Sequence, residues 1–335
     1  MGSALGIRRS RGVILAALAA LAFLWVTLAH GAELRLRESL LETQRDRVTI
    51  AVTATVSHIG DEAHPLDASK PLSGDDCDLH VPLRSLNIRV PLLGEVKNAC
   101  SMKPAGESRA YWSEGVYEET FGKVVPATGV FRIWLEHPPK GNKVQSEALK
   151  VPSYTNSNPD HQVELHPLLK VGALDFTDHV RRIRDGNKVG RGYGPAELKK
   201  LLWRKKQGGE ERATVAVRRM TIKDEPYIAI VGAKMGFNHW NLRGRVADGP
   251  KPLDDGTRIF LDILRGNVVV PGALRVPAVS VKGTQVDGRV NQVVAGEIVE
   301  FQALVRLSVS AILAQAGSTE KDIELPIEFV FLDIE

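Results

Sequence analysis

The chain has 335 residues, of which 43% are hydrophobic and 25% are charged. This length allows two or three domains, and the apolar content is sufficient for sizeable cores, which excludes a disordered or low-complexity chain. Aromatic residues make up only 6%, and 44 Lys and Arg stand against 40 Asp and Glu, a net charge of +4. A dense aromatic ligand platform is therefore not expected, and the charge balance gives little support to a polyanionic partner.

The first thirty residues have the pattern of an export signal. Arg8, Arg9 and Arg11 precede an uncharged apolar run of 17 residues, 13–29, and small residues follow it. This order is typical of a secretory signal peptide, but the run is also at the lower limit for a membrane-spanning helix. Residues 1–32 are therefore predicted to be a signal peptide or an uncleaved N-terminal anchor. The remaining chain is expected in the periplasm or outside the cell, free or tethered to the membrane by residues 13–29.

The chain has two cysteines, Cys77 and Cys100. Because exported proteins fold in an oxidising compartment, we expect a disulfide between them, with two free buried thiols as the alternative. A loop of this length would stabilise the fold by roughly 3 kcal/mol if the effect is entropic. A cysteine-based zinc site is not expected, because the chain lacks a CxxC pair.

Residues 45–175 are predicted to form a small β domain. Alternation of apolar and polar residues indicates five half-buried strands, at residues 47–58, 76–81, 88–96, 123–136 and 161–166. Five strands with long connections favour a barrel of the OB-like type, with a sandwich as the alternative.

Residues 176–212 are predicted to be a basic helical joint with a glycine-rich loop. Thr177 is a candidate N-cap of a short helix through Arg184. Pro195 is a candidate first residue of a second helix, which we expect to end at Gly208.

The centre of this joint is strongly basic, since residues 181–206 contain ten Lys and Arg and two acidic residues. A glycine loop followed by a helix N-terminus favours anions. A solvated helix face beside a linker is the alternative. The candidate anion-binding residues are Arg181, Arg182, Lys188, Arg191, Lys199 and Lys200.

Residues 213–335 are predicted to form a second antiparallel β domain, either a barrel or a sandwich. The candidate strands are residues 214–222, 227–233, 240–247, 258–264, 276–281, 298–313 and 323–334. We find no repeat of fixed period that links the two halves.

Acidic and histidine side chains recur on the strands of the first domain. Alternate residues of a strand share a face, so neighbouring strands can bring such side chains together at a divalent metal ion. The alternative to a metal site is that these are ordinary polar residues on the solvent-exposed face of a half-buried sheet. The candidate metal ligands are Asp78, His80, Glu136, His137, Glu164 and His166.

Residues 236–241, GFNHWN, are predicted to form either a polar binding lip or a turn.

Four segments of the chain resemble an OB-like β module of secreted bacterial proteins of unknown function. The resemblance covers roughly residues 45–185 and extends less clearly over residues 214–246. It rests on GDDCDLH at 74–80, GEV at 94–96, GVFRIWLEHP at 129–138 and NPDHQVELHP at 158–167. It implies a fold but no activity, and so no catalytic residues. Secreted thermonuclease-like OB domains are a more distant comparison, whose arginines have no match in this chain.

The motifs that identify common enzyme classes do not occur in the sequence. A GxSxG elbow, a P-loop and a dinucleotide fingerprint are missing, so no nucleotide cofactor is expected and no catalytic residue can be assigned. We therefore predict an exported, non-catalytic envelope protein that binds an envelope component, glycan or anionic lipid, with nucleic acid left open. The alternative is a metal-dependent hydrolase of phosphodiesters or esters that uses the six candidate metal ligands.

Overall fold

The computed structural model describes residues 32–67, 69–72, 76–141, 144–320 and 322–335. The predicted signal or anchor lies outside these residues. The helices are α1 (Glu38–Thr43), α2 (Tyr111–Thr120), α3 (Pro195–Leu202), α4 (Gln285–Val290) and α5 (Val309–Ala316). None of the helices in this described part is long and apolar enough to cross a membrane.

Strands dominate the fold, which confirms the predicted mainly β class. The strands of the first half are β1 (Ala32–Arg37), β2 (Thr49–Val56), β3 (Leu79–Ser85), β4 (Leu92–Val96), β5 (Val124–His137), β6 (Gln145–Ser146), β7 (His161–Val171), β8 (Leu174–Asp175), β9 (Arg184–Asp185) and β10 (Lys188–Val189). Those of the second half are β11 (Trp203–Lys206), β12 (Gly209–Arg212), β13 (Thr214–Ile222), β14 (Glu225–Gly232), β15 (His239–Leu253), β16 (Gly256–Arg265), β17 (Val268–Val269), β18 (Val276–Val281), β19 (Ile298–Leu307), β20 (Asp322–Glu324) and β21 (Ile327–Ile334).

Five strands of the first half close into a barrel, which we call the first barrel. Their order around the ring is β2-β3-β4-β7-β5, and β5 returns to β2. Only the β4–β7 pair is parallel, and α2 connects the third strand of the barrel to the fourth. Apolar side chains such as Val81, Ile133 and Leu165 are buried in the core. The ring confirms the predicted OB-like barrel.

Five strands of the second half form a ring with the same order, which we call the second barrel. The order is β15-β16-β18-β21-β19, and β19 returns to β15. The β18–β21 pair is again parallel, and α4 again connects the third strand to the fourth. The two barrels therefore repeat one topology, although the sequence shows no fixed period.

A separate five-stranded sheet joins segments that are distant in sequence. Its order is β20-β13-β14-β1-β6. Strand β1 precedes the first barrel, β6 lies in the connection between β5 and β7, and β13, β14 and β20 belong to the second half. Residues Ala32–Glu335 form one compact unit.

Several predicted elements have different boundaries in the structure. Residues 298–313 are not one strand, because the Ser308 side chain accepts a hydrogen bond from the Ala311 amide and begins α5. The helix predicted from Thr177 is a single 3-10 turn. The helix that begins at Pro195 ends at Leu202, and the hairpin β11–β12 follows, with Gly208 at positive φ in its turn.

Two buried arginines join the barrels in a reciprocal way. Arg132, on the fourth strand of the first barrel, donates to the Val305 carbonyl of the second barrel at 2.7 Å. Arg306, on the fourth strand of the second barrel, donates to the Phe131 carbonyl of the first barrel at 2.8 Å. Arg132 is paired in register with Glu164 and Arg306 with Glu328. The repeated topology thus includes an Arg–Glu pair at the same place in each barrel.

Candidate functional site

Eight charged or ionisable side chains form one buried group, which we call the buried polar cluster. Each is at most 5% exposed, although charged residues are almost never fully buried without partners. The cluster consists of Asp76, Asp78, Glu95, Lys97, Arg132, Glu164, His166 and His239. Removing an ion from water costs several kcal/mol, so attraction between opposite charges within the cluster must offset this desolvation cost.

Strand alternation explains why the cluster lies outside the apolar interior of the first barrel. On β7, Val163 and Leu165 belong to the hydrophobic core, so Glu164 and His166 point to the opposite face. His239, the first residue of β15, reaches the same place from the second half of the chain. The cluster is therefore built from strands of both barrels.

His166 is the hub of the cluster. Its Nδ1 lies 3.1 Å from Glu164 Oε2 and 3.2 Å from Glu95 Oε2, and its Nε2 lies 3.5 Å from Asp78 Oδ2. Burial alone would lower the pKa of His166, but the three surrounding carboxylates outweigh burial and raise the pKa to about 9. The ring is therefore an imidazolium at neutral pH.

The two glutamates beside His166 differ in their ionisation. Burial raises the pKa of Glu95 to about 7, although the charge of His166 opposes this. Burial would also raise the pKa of Glu164, but the contact with Arg132 and hydrogen bonds from His161 and His166 hold the pKa well below its usual range. Glu164 is thus a permanent anion, while Glu95 can hold a proton near neutral pH.

Lys97 connects Asp78 to His239. Its ammonium contacts Asp78 Oδ2 and lies 2.7 Å from His239 Nε2. Burial and the charge of Lys97 lower the pKa of His239 well below its usual value. His239 is therefore neutral, and its Nε2 accepts a hydrogen bond from the ammonium.

The structure brings together three of the six predicted metal ligands: Asp78, Glu164 and His166. His80 lies at the edge of the cluster, with Nε2 3.8 Å from Glu95 Oε1. Glu136 and His137 lie farther along β5. Glu136 is 3.9 Å from Arg132 Nη2, and the half-exposed His137 stacks on His161 with ring centroids 4.9 Å apart.

Five members of the cluster were absent from the predicted ligand set. Glu95 alternates with Gly94 and Val96 along a predicted strand, a signal that could have identified it, and Lys97 is the first residue after that strand. His239 lies in the segment predicted as a lip or a turn, and nothing in the sequence links it to the first barrel. The missed members are Asp76, Glu95, Lys97, Arg132 and His239.

Three sets of side chains within the cluster could hold a metal ion. In each set the candidate ligand atoms all lie within 4.8 Å of one another. The sets are Asp78 with His166 and His239, Glu95 with Glu164 and His166, and Asp76 with Asp78 and Glu95.

The disulfide predicted between Cys77 and Cys100 is present, with Cα atoms 5.2 Å apart. It links the segment before β3 to the turn after β4. Cys77 lies between Asp76 and Asp78 in the sequence, so the bridge fixes the backbone that carries both carboxylates into the cluster.

Several of the predicted anion-binding residues have partners in the protein. Arg182 lies 2.7 Å from Asp333, Lys199 lies 2.8 Å from Glu210, and Lys200 lies 3.6 Å from Glu197. The Arg181 guanidinium donates to the Asp178 carbonyl. Lys188 and Arg191 are exposed on the surface.

Described residues of the connection between β5 and β7, together with Pro91, line an open cavity of about 440 Å³, which we call the loop cavity. Tyr154 fixes this connection to the barrel, because its hydroxyl accepts from the Leu92 amide and donates to the Leu83 carbonyl. His58, from the connection between β2 and β3, donates to the Tyr154 carbonyl at 2.8 Å. Polar lining side chains include Ser146, Ser153, Thr155, Asn156 and Asn158.

No protein-family model matches this chain, and no curated protein sequence matches it. The functional argument therefore depends on the geometry of the protein itself.

Proposed function

We propose that this protein is an exported, non-catalytic binding protein that holds a neutral oligosaccharide of the cell envelope in the loop cavity. The observation that supports this most is the position of the cavity in the OB-like barrel. The connection between the fourth and fifth strands is one of the two loops with which OB folds bind oligonucleotides and oligosaccharides. The other is the connection between the first and second strands, and here His58 ties it to Tyr154 of the cavity.

The lining of the cavity suits an uncharged, hydroxyl-rich ligand. Exposed Ser153, Thr155 and Asn158 offer hydroxyl and amide groups that both donate and accept hydrogen bonds. Pro152 and Val151 supply apolar surface for the C–H faces of a sugar. Among the described lining residues, the charged side chains are one cation and one anion, Lys150 and Asp160, a balance that favours a neutral glycan over a polyanion.

The burial of the polar cluster argues against hydrolysis at its carboxylates and histidines. A catalytic acid or base must come within hydrogen-bond reach of its substrate. Asp78 and His166 have no exposed surface and Glu164 is 1% exposed. His166 contacts both carboxylates, and each carboxylate also contacts a buried cation. We therefore favour the binding function over the metal-dependent hydrolase.

The test is the binding of soluble neutral oligosaccharides to the purified protein, screened as an array and measured by calorimetry for each hit. We expect at least one hit and, because three hydrogen-bonding groups are lost, an affinity at least about tenfold lower in the Ser153→Ala/Thr155→Val/Asn158→Ala variant. The matched control is Thr221→Val/Asn267→Ala, which removes exposed polar groups away from the cavity. An array without a hit, or equal affinity in the cavity variant, would contradict the proposal.

A further inference from the structure

We propose that the buried polar cluster contains a divalent transition-metal site formed by Asp78, His166 and His239. This inference does not depend on the loop cavity or on its ligand. It assigns to the cluster a metal that ties the two barrels together, since His166 belongs to the first barrel and His239 to the second.

The three side chains are already arranged near one point. Their candidate ligand atoms lie within 4.8 Å of one another, and all three residues have no exposed surface. Zinc binds nitrogen and oxygen ligands at about 2.0–2.2 Å in tetrahedral geometry, so bound ligand atoms lie about 3.3–3.6 Å apart. The candidate ligand atoms therefore need to approach one another by at most about 1.5 Å, which side-chain movements can supply.

Unpartnered atoms provide a second, independent observation. Buried polar atoms in folded proteins nearly always have a hydrogen-bond partner. Here Asp78 Oδ1, His166 Nε2 and His239 Nδ1 are buried without one. Each member of the proposed site thus has a buried polar atom that no hydrogen bond satisfies, and the two imidazoles become metal ligands when the ion displaces their ring protons.

The formal charges of the cluster also favour a cation. Its four carboxylates are Asp76, Asp78, Glu95 and Glu164. Only two permanent cations, Lys97 and Arg132, are members of the same cluster. A metal ion on His166 displaces the proton of its imidazolium. With that ring neutral and all carboxylates ionised, two negative charges remain, and one divalent ion would balance them in an interior where uncompensated charge is costly.

The donor set indicates the class of metal. Two imidazoles with one carboxylate suit zinc and related first-row ions, whereas calcium and magnesium prefer oxygen ligands alone. Glu95 and Asp76 lie close enough to supply a further carboxylate, because each lies in a set that includes Asp78 or His166.

The Lys97 ammonium competes with the metal ion for the position between Asp78 and His239. Its ammonium contacts Asp78 and lies 2.7 Å from His239 Nε2. The ammonium must move away from both side chains when the metal binds. Removing it should therefore strengthen metal binding, whereas a purely structural ion-pair network would give no such gain.

The test is calorimetric titration with Zn²⁺ of protein first treated with a chelator. We expect one ion per chain, at least about 100-fold weaker binding in His166→Ala and in His239→Ala, and at least about tenfold tighter binding in Lys97→Met. The control is His58→Gln, which changes an exposed histidine outside the buried polar cluster and should bind Zn²⁺ with unchanged affinity.

Crystals of the unaltered protein soaked in Zn²⁺ keep the test decisive if a variant does not fold. We expect anomalous scattering between Asp78, His166 and His239. The proposal is overturned if the wild-type protein does not bind Zn²⁺, if the anomalous signal lies only on the surface, or if folded His166→Ala and His239→Ala bind as tightly as the wild type.

Discussion

At the scale of single residues, the charge of Arg132 is the main compensation for Glu164. Both side chains are buried, at 0% and 1% exposure. Burial by itself would raise the pKa of Glu164, and Arg132 is the largest influence that keeps this carboxylate ionised. Loss of either side chain should therefore destabilise the protein more than loss of one partner of an exposed ion pair.

We expect Arg132→Met to lower the free energy of unfolding by about 3–5 kcal/mol, because it leaves a buried carboxylate without its cation. Lys199→Met, which breaks an exposed pair with Glu210, should cost less than about 1 kcal/mol. Urea unfolding of both variants measures the difference. Equal effects would show that the buried pair contributes no more than a surface pair.

A second residue-scale prediction concerns pH. His179 is 4% exposed, and burial lowers its pKa to about 4, although its hydrogen bond to the Lys97 carbonyl opposes this. Between pH 6.5 and pH 4 the unfolded chain binds a proton on His179 that the folded protein does not. The free energy of unfolding should therefore decrease as the pH is lowered from 6.5 to 4, and this residue should account for up to about 3 kcal/mol of the decrease.

The His179→Gln variant isolates this effect, because it cannot bind the proton. Its loss of stability between pH 7 and pH 4, measured by urea unfolding, should be smaller than that of the wild type. The same pH dependence in both proteins would mean that His179 titrates normally in the folded state.

Sequence reasoning identified part of the site at this scale. Asp78, Glu164 and His166 were predicted from alternation along single strands, which is a local pattern. His239 is 73 positions beyond His166 in the sequence, and it joins them only through the docking of the second half of the chain. Lys97 was missed because a lysine in a turn after a strand normally indicates a solvent-exposed position.

At the scale of elements, close backbone contacts in the first barrel restrict certain positions to glycine. A Cβ at Gly129, on β5, would lie 2.7 Å from Leu165 Cβ and from the Pro167 carbonyl oxygen of β7. Contacts this close require the paired strands to separate. Gly288, in α4, has open space around its missing side chain.

We therefore expect opposite effects of alanine at these two glycines. Gly129→Ala should destabilise the fold by about 1–3 kcal/mol through overpacking, whereas Gly288→Ala should stabilise it by about 0.4–1 kcal/mol because alanine restricts the unfolded chain. Thermal unfolding of both variants provides the comparison. A neutral Gly129→Ala would mean that β5 and β7 can move apart at little cost.

Element boundaries were the least predictable part of the fold. The apolar pattern of residues 298–313 continues through Ser308, so periodicity alone joins β19 to α5. Only the capping contact of the Ser308 side chain separates them. A cap depends on the local backbone conformation, which composition does not show.

At the scale of the whole molecule, the barrels share one topology and bind each other through Arg132 and Arg306. The sequence indicated two β-rich regions and an OB-like first barrel because these follow from alternation and connection length. It did not show the sheet that joins β1 to β14, since that pairing links residues nearly 200 positions apart. The shared topology was also hidden, because strand order leaves no fixed period in the chain.

The joined architecture predicts that both barrels unfold together. Hydrogen exchange should give the amides of Val163 and Val330, on the fifth strand of each barrel, the same free energy of opening. Arg306→Met, which removes donors to the first barrel, should make the two values differ. Different values already in the wild type would mean that the barrels open independently.

The central claim is that the loop cavity of the first barrel binds a neutral oligosaccharide. Its most direct test is chemical-shift mapping of the backbone amides, with the protein titrated by the tightest oligosaccharide from the array. The account predicts saturable shifts concentrated at residues 144–160 and near His58, with the second barrel unaffected. Shifts confined to the second barrel, or no saturable shifts, would contradict it.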